Sequence, residues 1–147
     1  MRPTYESEED RKQERQIADL LSVYWRCRFA KLKKACHVDF GLIREDKIVG
    51  LVEIKCRNYS LEEIDKMGGL FISALKYQAA RQWCDTYKIG FAVIAKLSDG
   101  LYFWSTKKDE PFPVLKMEMG GRTDRGDWQD IEPCCLVPAK EFRKLEI

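Results

Sequence analysis

Cys36-His37-Val38-Asp39-Phe40-Gly41-Leu42-Ile43 and Ile48-Val49-Gly50-Leu51-Val52-Glu53-Ile54-Lys55-Cys56 flank the polar tetrapeptide Arg44-Glu45-Asp46-Lys47. Two apolar runs of strand length around a polar turn read as a β-hairpin. Asp39, Glu53 and Lys55 interrupt those runs. Burying a charge is costly unless it is paired or bound to metal, so charges in the most apolar part of the chain point to a site. Side chains alternate along a strand, which puts Glu53 and Lys55 on one face and Ile54 on the other. With an odd-sized turn centred on Asp46, Asp39 falls opposite Glu53 on the same face; a β-bulge would change that register. Two facing carboxylates repel, and a divalent cation between them converts the repulsion into ligation. Hard cations such as Mg²⁺ (or Mn²⁺) take carboxylate and carbonyl oxygens, and Mg²⁺ usually keeps several waters. The backbone carbonyl of Ile54 then offers a third protein oxygen, and Lys55 stands ready for a phosphate or a metal-bound water.

Asp39, followed fourteen to sixteen positions later by Glu53-Ile54-Lys55, resembles the PD-(D/E)XK nuclease superfamily. The placement on a hairpin between two helical segments carries the resemblance more than the three letters do. Val38 departs from the proline usual before the aspartate. The resemblance covers residues 14 to about 105. It implies an α/β fold, with a restriction-endonuclease-like central mixed sheet flanked by helices in αβββαβ order. It also implies Mg²⁺-dependent hydrolysis of DNA phosphodiesters. Many members carry a glutamate on the first helix that reaches the metal, and Glu14 matches that place, with Glu9 and Asp10 as competitors. Some branches carry a glutamine on the helix after the lysine strand, which Gln78 matches, with Gln82 as a competitor. The Gln-x-x-x-Tyr form of that motif is absent. The compact chain is similar to stand-alone resolvase-like and phage-type members. Archaeal-type Holliday junction resolvases show a similar order of residues and act as dimers, so a homodimer is an analogy here.

The hairpin's surroundings agree with that order. Ser7 with Asp10 is a loose capping box, and Ile17, Leu20, Leu21 and Tyr24 give a helical stripe over about Glu8 to Val23. Residues 24 to 35 hold Arg26, Arg28, Lys31, Lys33 and Lys34 around Trp25 and Phe29, with room for a short first strand. Ser60 with Glu63 is a cleaner capping box. It opens a helix expected to run to about Tyr87, kinked or broken at Gly68-Gly69. Ile89 to Ala95 reads as a buried strand, Ser98-Asp99-Gly100 as a hairpin turn and Leu101 to Ser105 as the returning strand. Residues 107 to 113 and Met119 to Asp130 read as loops, Cys134 to Val137 as a last strand, and Ala139 onward as a terminal turn or helix.

The 147 residues fit one domain, with 1–6 as a tail and 106–147 as an extension of unassigned role. The formal net charge of +2 is uninformative by itself, and the distribution of charge matters more. Arg26, Arg28, Lys31, Lys33, Lys34 and Arg57 are the candidate DNA-phosphate contacts. Six cysteines without a Cys-x-x-Cys pair, and His37 as the single histidine, argue against structural zinc or an iron–sulfur cluster. Reduced thiols in a cytoplasmic protein are the reading that fits. No apolar run is long enough for a membrane span. A chain without an obvious sequence-reading module suits DNA defined by structure or ends: junctions, flaps, nicks or single strands. Two rivals stand beside this nuclease. One is a non-catalytic nucleic-acid-binding module, or a subunit of a larger assembly, with the same fold. The other is an α+β interaction protein whose carboxylates are structural.

Overall fold

The computed structural model describes residues 8–121 and 131–146. Helix α1 (Glu8–Tyr24) leads into β1 (Arg28–Lys31), β2 (Phe40–Arg44) and β3 (Lys47–Cys56). Then come α2 (Leu61–Lys66), β4 (Leu70–Ser73), α3 (Ala74–Tyr87), β5 (Gly90–Leu97) and β6 (Gly100–Ser105). Strands β7 (Lys116–Gly120), β8 (Glu132–Val137) and β9 (Arg143–Lys144) complete the described chain. One sheet has the order β1-β2-β3-β5-β6-β9, a second β4-β8-β7. In the first, β3 and β5 pair in parallel and the other pairs are antiparallel. This is the expected mixed sheet flanked by helices, with the expected αβββαβ order interrupted by the short β4.

Three acidic residues open α1, where the helix macrodipole favours them. Its buried stripe is Ile17, Ala18 and Leu21, narrower than expected, because Leu20 and Tyr24 are exposed. That stripe packs on Phe29, Phe40, Val52, Ile54 and Ile94, one face of the large sheet. The other face contributes Leu51, Phe91, Val93 and Ala95 to a core shared with α3 (Tyr77, Ala80, Cys84) and with Leu70, Ile72, Cys135 and Val137 of the small sheet. Trp25 stacks against Phe29 at 6.1 Å, so both belong to the packing beneath α1.

Two expectations are corrected. The helix beginning at Ser60 has its capping box, with Glu63 N donating to Ser60 Oγ and Ser60 N to Glu63 Oε1. It ends at Lys66, however, and does not resume until Ala74. Gly68 and Gly69 take φ of 95° and 136°, and a Cβ on Gly69 would lie 2.7 Å from the Val137 carbonyl oxygen. The glycines therefore break the helix, as one of the two expected alternatives had it; instead of resuming the helix, the chain then enters β4, paired with β8, before α3 begins. Met119 and Gly120 likewise end the strand Lys116–Gly120 rather than start a loop; residues 122–130 of the expected loop lie outside the described residues, as does Ser7.

The hairpin reaches the expected register by a different route. Arg44 pairs with Lys47, leaving a two-residue turn, Glu45-Asp46, with φ of 51° and 62°. Both residues are left-handed, as a type I′ hairpin turn requires. An even turn alone would not put Asp39 opposite Glu53. The register shifts between Leu42, which pairs with Gly50, and Ile43, which pairs with Ile48, leaving Val49 as an extra residue. Beyond this bulge Phe40 pairs with Val52, so the next positions, Asp39 and Glu53, face each other.

Candidate active site

Asp39 lies one residue before β2 rather than within it. Its backbone carbonyl still accepts from the Leu32 amide on the β1 side, while its carboxylate accepts a hydrogen bond from the Ile54 amide at 3.0 Å, in the place where β2 would otherwise continue along β3. A residue's N–H and C=O point to the same side of its strand. The Ile54 carbonyl therefore opens toward the same edge as Asp39. Glu53, whose side chain lies on the face opposite that of Ile54, is 1% exposed and the one charged residue in the described core.

Two lysines answer that buried carboxylate. Lys55 Nζ stands 3.6 Å from Glu53 Oε2. Lys76, from the first turn of α3, reaches both Glu53 oxygens at 3.1 and 3.3 Å and lies 4.0 Å from Asp39 Oδ1. Burial pushes the Glu53 carboxyl above the ordinary range, with Asp39 adding to the effect and Lys55 and Lys76 opposing it. Burial also works against ionised Asp39. Lys76, the hydrogen bond with Glu53, Lys55 and the Ile54 amide outweigh it and hold Asp39 below the ordinary value. The two facing carboxyls thus separate, Asp39 ionising first. Burial, helped by Lys76 and Arg57, lowers Lys55 against the pull of Glu53 and Asp39. Lys76 moves the other way: burial is overcome by Glu53 and Asp39, which raise it.

Asp39, Glu53, Lys55 and the Ile54 backbone therefore come together. Glu14 reaches the group from α1 through Lys31, whose Nζ lies 3.4 Å from Glu14 and 3.8 Å from Asp39 and also sits over the Phe40 ring. Gln78 does not come together with them. It is exposed, and two residues along a helix rotate the side chain by about 200°, away from the direction in which Lys76 meets Glu53. Lys76 is the residue that the sequence reading missed. A lysine in the first turn of a helix that has no acid there and no side-chain cap runs against the macrodipole. That signal was readable only once the start of α3 was known.

The basic cluster divides. Lys31 pairs with Phe40, beside Asp39, and Lys33, Lys34 and Arg57 are exposed near that end of the sheet. Arg28 pairs with Ile43, three residues or about 10 Å toward the hairpin turn, and Arg26 lies beyond it.

The donor set fits a hard divalent cation. Two carboxylates and one carbonyl suit an ion that keeps several waters. Among the described residues no three His, Cys, Asp or Glu side chains form a metal-holding group, so any ion would lean on backbone and water for its remaining ligands.

A mixed sheet carrying Asp39, Glu53 and Lys55 at the end of its central hairpin defines a PD-(D/E)XK nuclease-like fold. The model of the family described as "phage putative PDDEXK endonuclease" matches residues 1–145, and the chain belongs to that family. The match includes the C-terminal forty residues that the motif resemblance left unassigned. Nucleases of this superfamily generally use divalent metal ions. No curated protein matches the chain. Among the described residues, no helix is long and apolar enough to cross a membrane.

Proposed function

We propose that this chain is a divalent-metal-dependent DNA endonuclease whose substrate is defined by structure, such as a junction, flap or nick. The observation that carries the reading is Glu53: a fully buried carboxylate facing Asp39, with Lys55 3.6 Å away. Asp39, Glu53 and the Ile54 carbonyl would hold the ion, with Glu14 behind them. A bound ion would lower the pKa of its water and screen the phosphate oxygens. Asp39, held below the ordinary carboxylate value, supplies a negative charge to the ion. Lys55, held by burial below the ordinary lysine value, donates to a phosphate oxygen as an ammonium or accepts a proton from the attacking water as an amine. Lys31, Lys33, Lys34 and Arg57 would contact the backbone on either side. Phosphate contacts fix position without reading bases, which suits a substrate recognised by shape.

The ion pairs of Glu53 with Lys55 and Lys76 also favour a second reading, a self-neutralised structural cluster in a non-catalytic binding module. One assay separates the two. Labelled single-stranded, duplex, nicked, flapped and four-way-junction DNA, and matched RNA, are incubated with Mg²⁺, Mn²⁺ or EDTA. Wild type should cut at least one branched or nicked DNA only with metal, and Asp39→Asn should cut none. Metal-independent cutting, or equal cutting by Asp39→Asn, would overturn the proposed site. Tight DNA binding without cutting under any condition would favour the binding module.

A further inference from the structure

We propose that Lys76 is a built-in counter-cation of the site, seated between Asp39 and Glu53 where the divalent ion would bind, so that the ion has to displace it. The inference rests on the metal-dependent reading above and adds a residue to it.

Lys76 occupies the oxygens an ion would need. It contacts both oxygens of Glu53, at 3.1 and 3.3 Å, and lies 4.0 Å from Asp39 Oδ1. Nothing local favours a lysine there. It is in the first turn of α3, Ser73 makes no side-chain cap, and that turn holds no acidic residue. The positive end of the helix repels an ammonium. The carboxylates of β3 and of the segment before β2 are what hold it.

The charges give the reason for displacement. Fully ionised, Asp39, Glu53, Lys55 and Lys76 sum to zero. A divalent ion added to the intact set leaves two uncompensated positive charges in a poorly solvated place. Withdrawing an ammonium from the Glu53 oxygens offsets part of that charge, and of the two lysines on Glu53, Lys55 and Lys76, one is freer to move. The Lys55 side chain is 15% exposed, on a central strand; the Lys76 side chain is 34% exposed, on a helix at the rim. Lys76 can swing its four-carbon stem into solvent without opening the core. It thereby shields the buried carboxylates when no ion is present.

Calorimetric titration of Mn²⁺, with metal-free and Mn²⁺-loaded melting curves, tests this on wild type, Lys76→Met, Lys76→Gln and Asp39→Ala. Met keeps the apolar stem, and Gln keeps a hydrogen-bonding head without the charge. Removing a competing charge-assisted contact should tighten Mn²⁺ binding by about tenfold or more in both Lys76 variants. Their metal-free forms should melt lower than wild type, and Mn²⁺ should raise their melting temperature by more. Unchanged or weaker Mn²⁺ affinity in both Lys76 variants, with wild-type binding lost in Asp39→Ala, would overturn the role of Lys76 and leave the metal site standing. No Mn²⁺ binding by wild type, or binding indifferent to Asp39→Ala, would overturn the site and this inference together.

Discussion

The two faces of the large sheet are built from alternate residues of the same strands, yet they do different things. Under α1 the face is apolar at Phe40, Val52, Ile54 and Ile94. Toward α3, Leu51, Val93 and Ala95 surround Glu53, and Lys55 follows two residues on. The first face is held by area removed from water. The second tolerates a buried carboxylate only because oppositely charged partners converge on it. Ile54 belongs to both through different atoms: its side chain fills the α1 face, while its amide binds Asp39. The closed face thus fixes the backbone on which the charged face is arranged.

That division can be broken from either side. Lys55→Met should lower the cleavage rate by roughly 10²–10⁴-fold, the usual span for a positioned proton-transfer group, and leave the far-ultraviolet circular dichroism unchanged. A loss of less than about tenfold would reduce Lys55 to a charge partner of Glu53. Ile54→Ala should do the reverse. It should destabilise the chain by about 2–5 kcal/mol in urea unfolding, while cleavage per folded molecule stays near wild type. If cleavage fell as steeply as stability, the faces would not be separable.

Asp39→Ala gives a smaller effect with a telling pH dependence. Leaving the Ile54 amide without its acceptor should cost about 1–3 kcal/mol in metal-free protein near neutrality. The folded Asp39 carboxyl is held below its ordinary value, so its contribution is complete above the ordinary carboxylate range. It is lost as pH falls through that range and below. Glu53 runs oppositely. Raised by burial, it contributes most when protonated, and that contribution fades as pH rises through the carboxylate range and beyond. The stability gap between wild type and Asp39→Ala should therefore narrow on acidification. A gap that widened would mean Asp39 is not the lower of the pair. The mildest test concerns the shared core. Burial, with Asp85 nearby, pushes the Cys84 thiol up to about 12, so iodoacetamide at pH 8 should modify Cys84 only on the timescale of unfolding. Rapid modification would show that the core between α3 and the small sheet opens readily.

Much of the site was legible because a strand has period two. Charges at Asp39, Glu53 and Lys55 stand out against an alternating apolar background, and their spacing sets their faces. The expected register held at Phe40–Val52 although the turn was misjudged, because an even turn and a bulge compensate. The region after Ser60 was harder. Leu70–Ser73 is a strand only through its pairing with β8, more than sixty residues later, and no local pattern reports such a partner. In a helix expected to run from Ser60 to about Tyr87, nothing marks Lys76, since a lysine inside a long helix looks like solvated charge; only a start at Ala74 puts it in a first turn. The same phase sets Gln78 apart from the group: with Lys76 facing Glu53, Gln78 is exposed and points elsewhere.

The bulge at Val49 gives the hairpin something like a reading frame. One residue removed from the turn, or from the bulge, would change the parity of the path from Asp39 to Glu53 and turn the second half of the site inside out. A second change of one residue, anywhere between Phe40 and Val52, would restore it. Length variation in this hairpin is therefore tolerable in twos, and a single insertion or deletion would be a null mutation even with all three charged residues intact.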